Sequence, residues 1–203
     1  MEQYPAKGIF AGMKKAFCLL LILVNLCNAV LAQNSGDKKT RKTVAQKTNP
    51  TTFPYTFIGN WKGKMQWMVA GKPSQTFSMQ LRIQPADTAG QYTWQIIYGD
   101  DNKDNRPYIL KPVDTAKGHW IVDENDGILL DSYVHGNAVH GAFTVQGNTI
   151  VDNYKVENGK MYVEFFSIKL ADKKQSGKGT EETPFVDSYR ISSYQSGVLT
   201  KLQ

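Results

Sequence analysis

The sequence predicts an all-β domain, an antiparallel meander closed into one barrel of roughly ten strands. Three observations predict it. Apolar and polar residues alternate with period two through segment after segment, as in half-buried strands. Turn signals interrupt them at roughly 8–14-residue spacing, with Asn158-Gly159 and Gly136-Asn137 as hairpin turns. No stretch carries a sustained 3.6-residue period. Short hairpin links favour a closed meander over a Greek-key sandwich, and closure hides the sheet edges.

The organising stretch is Phe57 to Val69. Trp61, Gly63, Met65, Trp67 and Val69 share one face, and Asn60, Lys62, Lys64 and Gln66 the other. Ala70 to Pro73 turns the chain into Phe77, Met79, Leu81 and Ile83, which alternate with Ser78, Gln80 and Arg82. After Asp87 to Gly90, Tyr92, Trp94, Ile96 and Tyr98 alternate with Thr93, Gln95 and Ile97. A polar loop is expected from Gly99 to Arg106, then a short strand from Tyr108 to Val113. His119 to Val122, Ile128 to His135, Val139 to Val145, Thr149 to Val156 and Met161 to Leu170 read as further strands. A long polar loop follows from Ala171 to Pro184, then a last strand from Phe185 to about Tyr194, with a further piece at Val198 to Leu202.

The chain has 203 residues, divided by composition into three parts. Residues 1–32 read as a secretory signal peptide with an N-terminal extension. Lys14 and Lys15 precede an apolar run from Ala16 to Leu26, and Val30-Leu31-Ala32 offers a small-x-small cut site. Met13 is the expected start of translation. The run is shorter than the roughly 20 residues that span a bilayer. Both cysteines, Cys18 and Cys27, lie in this leader, so the mature chain is expected to carry no disulfide and no thiolate metal site. Val24-Asn25-Leu26 before Cys27 lacks the small residue that lipidation requires there. Residues 33–52 are polar and basic and read as a disordered tether. Residues 53–203 form one domain, long enough for a real core.

The net charge of +6 belongs to the first two parts. Lys7, Lys14 and Lys15 stand against Glu2 in the leader, and Lys38, Lys39, Arg41, Lys42 and Lys47 against Asp37 in the tether. The domain itself is neutral, which argues against nucleic acid as a partner. The basic tether offers contact with an anionic membrane surface, or serves as a solvated spacer. The reading is an exported monomer, periplasmic or extracellular.

Gly59-Asn60-Trp61 at the head of the first strand, a run of hairpins and Arg190 in the last strand together resemble the calycin barrels: lipocalins, fatty-acid-binding proteins and nitrobindin-like barrels. The resemblance implies that Trp61 closes the base of the barrel with Arg190 packed across it, and that the interior holds a small hydrophobic or amphipathic molecule. Fatty-acid-binding proteins grip a carboxylate with a late Arg-x-Tyr; here Ile191-Ser192 follows Arg190. Nitrobindin-like barrels ligate haem through a late-strand histidine, and here no histidine lies beyond His140. No cofactor is expected.

The residues that would line such an interior are Trp67, Met79, Tyr92, Trp94, Tyr98 and Phe165. Tyr and Trp rings combine apolar area with a polar handle and suit an amphipathic ligand. The same residues serve equally as a packed core, which leaves a filled interaction module of the cell envelope as the second reading. His135, His140 and Asp131 share a face around one turn, but Leu130, Val134, Val139 and Phe143 claim the inward side. The histidines therefore face water, and no metal is assigned. Asp100 to Asn105 resembles a calcium loop without its glycine and glutamate. No nucleophile motif, zinc motif or phosphate loop is present, no catalytic residue is assigned, and Glu164 and Asp187 are unpaired acid–base candidates. A pair of ionisable groups inside the barrel would favour the third reading, a barrel enzyme on a hydrophobic substrate.

Overall fold

The computed structural model describes residues 52–203; the leader, both cysteines and nearly all of the tether lie outside the described residues. Ten antiparallel strands follow one another in sequence order and close into a barrel. They are β1 (Gly59–Met68), β2 (Gln75–Ile83), β3 (Tyr92–Tyr98), β4 (Asp104–Asp114), β5 (His119–Asp123), β6 (Leu129–His135), β7 (Ala138–Val145), β8 (Asn148–Glu157), β9 (Lys160–Ser176) and β10 (Val186–Lys201). A 3-10 turn, Thr115–Lys117, links β4 to β5.

The barrel closes between β1 and β10, from Trp61 opposite Lys201 to Met68 opposite Tyr194. Gly63 and Gly197 let these two strands press together. A Cβ on Gly63 would stand 2.2 Å from the Val198 carbonyl oxygen, and one on Gly197 2.5 Å from that of Lys64. The period-two faces of the sequence are the inner and outer faces of this barrel. Trp61 and Met65 are fully buried inside, and Lys62, Lys64 and Gln66 are exposed outside.

The end formed by the start of β1 is the base. Residues 52–58 turn across it. Phe53 meets the rings of Phe57 and Trp120 edge-on at 5.0 and 5.1 Å, and the Trp61 indole N–H donates to the Phe57 carbonyl at 2.7 Å. Above this cap Met65, Met79, Leu81, Ile83, Leu110, Met161, Val163 and Leu199 have no exposed surface. Burying a side chain of this size contributes roughly 1.5–3 kcal/mol, so the base carries most of the stability.

Three boundaries differ from the sequence reading. β4 begins at Asp104, four residues earlier than expected, because Asp104 and Arg106 face inward and continue the ladder opposite Tyr98 and Ile96. The expected loop Ala171–Pro184 shrinks. β9 runs on to Ser176, where Gln175 and Ser176 pair with Asp187 and Val186. β10 is one strand of 16 residues rather than two pieces. Beyond Lys169, where its pairing with β8 ends, β9 continues with β10 as a two-stranded ribbon outside the barrel. The expected Gly99–Arg106 loop folds onto the outer face. Ser78 donates to Asp100 at 2.5 Å and accepts from Lys64 at 2.6 Å, while Gln80 donates to Asn102 at 3.2 Å. These bonds account for two buried polar side chains on the outward side of β2.

Candidate functional site in the upper half of the barrel

The interior changes character along its length. Most inward residues near the base are apolar and buried. In the upper half the inward residues Trp67, Phe77, Tyr98, Arg106, Tyr108, Phe143 and Asp152 all retain some exposure. Four buried inward side chains, Ser132, Ser167, Ser193 and Gln195, are polar. Because strands in a barrel tilt, one hydrogen-bonded row climbs from base to upper half. Trp61 is opposite Leu81, Leu81 opposite Ile96, and Ile96 opposite Arg106.

Two ionisable groups of side chains stand in this upper half, with Tyr98 between them. The first belongs to β4 and the turn after β5. Arg106 grips Asp104 with both arms of its fork, Nε to Oδ1 at 2.9 Å and Nη2 to Oδ2 at 3.0 Å. Its guanidinium also lies 4.9 Å above the centre of the Tyr98 ring. Burial opposes the Arg106 charge, and the Asp104 carboxylate more than offsets this, raising its pKa. Tyr108 stands between Arg106 and Glu124, and burial drives its hydroxyl pKa upward. Burial, reinforced by Asp126, also raises the Glu124 carboxyl. Burial pushes the Tyr98 hydroxyl up to about 12.

The second group centres on Asp152 of β8. Asp152 lies opposite Gly141 of β7 and Phe165 of β9. Its carboxylate lies against the Gly141 backbone, whose amide dipole favours the charged form. A Cβ on Gly141 would stand 2.5 Å from Oδ1, so glycine makes the seat. Burial pushes this carboxyl up to about 6. One inward position below, the Tyr154 ring meets Trp94 at 5.0 Å and Phe165 at 5.7 Å, both edge-on. Burial and the neighbouring Asp152 keep the Tyr154 hydroxyl protonated.

On the facing wall of β1 and β10, the Trp67 Nε1 and Ser193 Oγ are buried without a hydrogen-bond partner. A buried donor left unpaired costs roughly 1–3 kcal/mol. Such atoms mark a place that water or a ligand completes.

All six residues expected to line the interior face inward. Trp67, Tyr98 and Phe165 belong to the upper half, and Trp94 lies directly beneath it against Tyr154. Met79 is fully enclosed beside Tyr98, and Tyr92 sits in the base against Trp120. Trp61 closes the base, but the cation over its ring, at 5.4 Å, is Lys201. Arg190 is instead exposed on the ribbon, opposite Lys169, on the wall of an open cleft with Asp172, Lys173, Lys174, Ser188 and Tyr189. The barrel proper ends near Ser193 on that strand, so Arg190 lies too far from the base to reach Trp61.

The remaining polar candidates are on the outside. Glu164 accepts from Tyr194 at 2.5 Å and Asn153 at 3.0 Å, and Asp187 pairs with Lys173 at 2.8 Å. The His135 and His140 rings are 5.6 Å apart, while Asp131 bonds His119 at 2.6 Å. Sequence reasoning missed Asp104, Arg106, Glu124 and Asp152. The available signal was parity: Asp152 alternates in step with Ile150, Tyr154 and Val156, and Glu124 with Trp120 and Val122.

No protein-family model matches the sequence, and a search of curated proteins finds no match. Among solved structures the chain is similar to a protein of unknown function of the DUF3598 family from Nostoc punctiforme, with a TM-score of 0.51 at 10% identity. The match covers 72% of this chain and 48% of that one, so this chain spans about half of its length. A likeness at this identity speaks for the fold alone.

Proposed function

We propose that this is an exported, lipocalin-like barrel that binds a small amphipathic molecule in its upper half. The observation that carries the reading is the gradient inside one continuous barrel. Its base is packed with apolar side chains, while its upper half keeps inward-facing aromatic and ionisable residues partly exposed. Barrels of about this strand number either fill with side chains or hold one small ligand. Here the two halves divide those roles. The unpaired Trp67 Nε1 and Ser193 Oγ support it, because a ligand with a hydrogen-bonding group would complete them.

The test is uptake of Nile red, a neutral amphipathic dye, by the full chain. The expected result is saturable fluorescence enhancement that Ser193→Phe abolishes while the protein still unfolds cooperatively. Uptake unaffected by filling that wall would refute the reading. The ionisable side chains also favour a barrel enzyme as a second reading, since buried acids with raised pKa values cluster at catalytic sites. Asp152 is the residue to which that reading points.

A further inference from the structure

Charge inside the upper barrel is unbalanced. Among the described residues, Arg106 is the partly buried cation on the inward parity of the upper half, which also carries the acids Asp104, Glu124 and Asp152. Its fork is occupied by Asp104 through two hydrogen bonds. Glu124 is met by the Tyr108 hydroxyl. Asp152 lies against the Gly141 backbone, and among the described residues no cation pairs with it. An inward carboxylate with no cation beside it lacks the counter-ion that a buried charge ordinarily has.

The surroundings of Asp152 are aromatic. Phe165 is directly opposite it on β9, and Tyr154 and Trp94 form the floor. Tyr98 stands between Asp152 and Arg106. Ring faces backed by a carboxylate attract organic cations, because the ring quadrupole and the charge act together. A carboxylate ligand meets the opposite conditions. It would face three acids, and the one guanidinium that could grip it is already engaged.

Resting on the reading above, we propose that the ligand is an organic cation, an amine or quaternary ammonium group on an apolar body, with Asp152 as its counter-ion and Tyr98, Tyr154 and Phe165 as its aromatic surround. Gly141 is a positioning residue, because it makes room for the carboxylate. No histidine intervenes: His119 and His140 belong to the outward side, and His135 is exposed near the base. The charged residues at the rim, Lys169 and Arg190, are exposed, and Lys169 lies four residues beyond Phe165, roughly 13 Å along β9. Among the described residues, the titratable groups that feel the Asp152 charge are Tyr98 and Tyr154, while Asp104, Arg106, Tyr108 and Glu124 stand elsewhere on the inward side.

The experiment is calorimetric titration of the full chain with three chain-matched probes below their micelle concentrations: decyltrimethylammonium, decanol and decanoate. The cation is expected to bind at least about tenfold tighter than the alcohol, the scale of a close charge pair. Decanoate is expected to bind weakest. Asp152→Asn, checked for cooperative unfolding, should bring the cation to the level of the alcohol. The advantage should also shrink as pH falls through about 6, where the carboxyl takes up its proton. Equal affinity for cation and alcohol, or an Asp152→Asn variant that keeps the preference, would overturn the inference and leave the container standing. Binding of none of the three would overturn both.

Discussion

The two halves of this barrel are built from the same ten strands and obey opposite rules. In the base, most inward positions are buried and apolar, and the polar atom of its central tryptophan is satisfied within the cap at 2.7 Å. In the upper half, inward positions carry acids, an arginine, phenols and small hydroxyls, and two of the buried inward polar atoms, Trp67 Nε1 and Ser193 Oγ, are unsatisfied. The base is organised for stability, and the upper half carries polar and ionisable groups that stability alone does not call for. Desolvated acids and unpaired donors are costly, and a chain selected for stability alone would have filled that space with leucine.

Substitutions can break or sharpen this contrast. The largest effect is expected in the base. Trp61→Ala removes a fully buried indole together with its bond to Phe57 and should cost about 3–5 kcal/mol in denaturant unfolding. A loss under about 1 kcal/mol would mean that the base is not the stabilising half.

Next comes Asp152. Its carboxyl titrates at about 6 in the folded protein, raised from 3.8. The native state thus holds the proton more tightly than the unfolded chain. The contribution of this group is most favourable below pH 4, falls as pH rises towards 6, and is lowest above it. The fall is at most about 3 kcal/mol, since each tenfold difference in proton affinity between the two states is worth about 1.4 kcal/mol. Asp152→Asn should remove that slope and leave a variant as stable as the native chain, or more so, at pH 7. A steeper slope in the variant would contradict the placement of Asp152.

Gly141→Ala is expected to cost less, about 1–2 kcal/mol, as overpacking does when a short side chain must move. It should also lower the pH at which the slope appears, because the displaced carboxylate becomes better hydrated. The smallest effects separate two cations. Lys201→Ala should cost about 0.5–1 kcal/mol through the Trp61 ring, whereas Arg190→Ala, exposed on the ribbon, should stay within about 0.5 kcal/mol of the native chain.

The division between legible and illegible follows from the same contrast. Period-two alternation betrayed β1, β2 and β3 because their outward residues are polar and their inward ones apolar. The base could be read for that reason, Trp61 included. The upper half broke the rule that made the base readable. Asp104 and Arg106 looked like loop because a polar residue on the inward parity resembles the end of a strand, and Pro107 between them and Tyr108 strengthened that impression. Asp152 sat unnoticed between Val151 and Asn153, where an outward valine blurred the period. The β9 side of the ribbon, from Ala171 to Ser176, was read as loop because a strand exposed on both faces carries no apolar face to detect. Arg190 was assigned to the base by resemblance to other barrels, and no local pattern could show that the last strand begins outside the barrel.

The most direct measurement is native mass spectrometry of the protein isolated from its own source, followed by organic extraction. A container should carry stoichiometric extra mass that extraction releases as a small amphipathic molecule. A bare chain mass, together with Nile red uptake identical in the native chain and Ser193→Phe, would contradict the view that the upper barrel is a binding site.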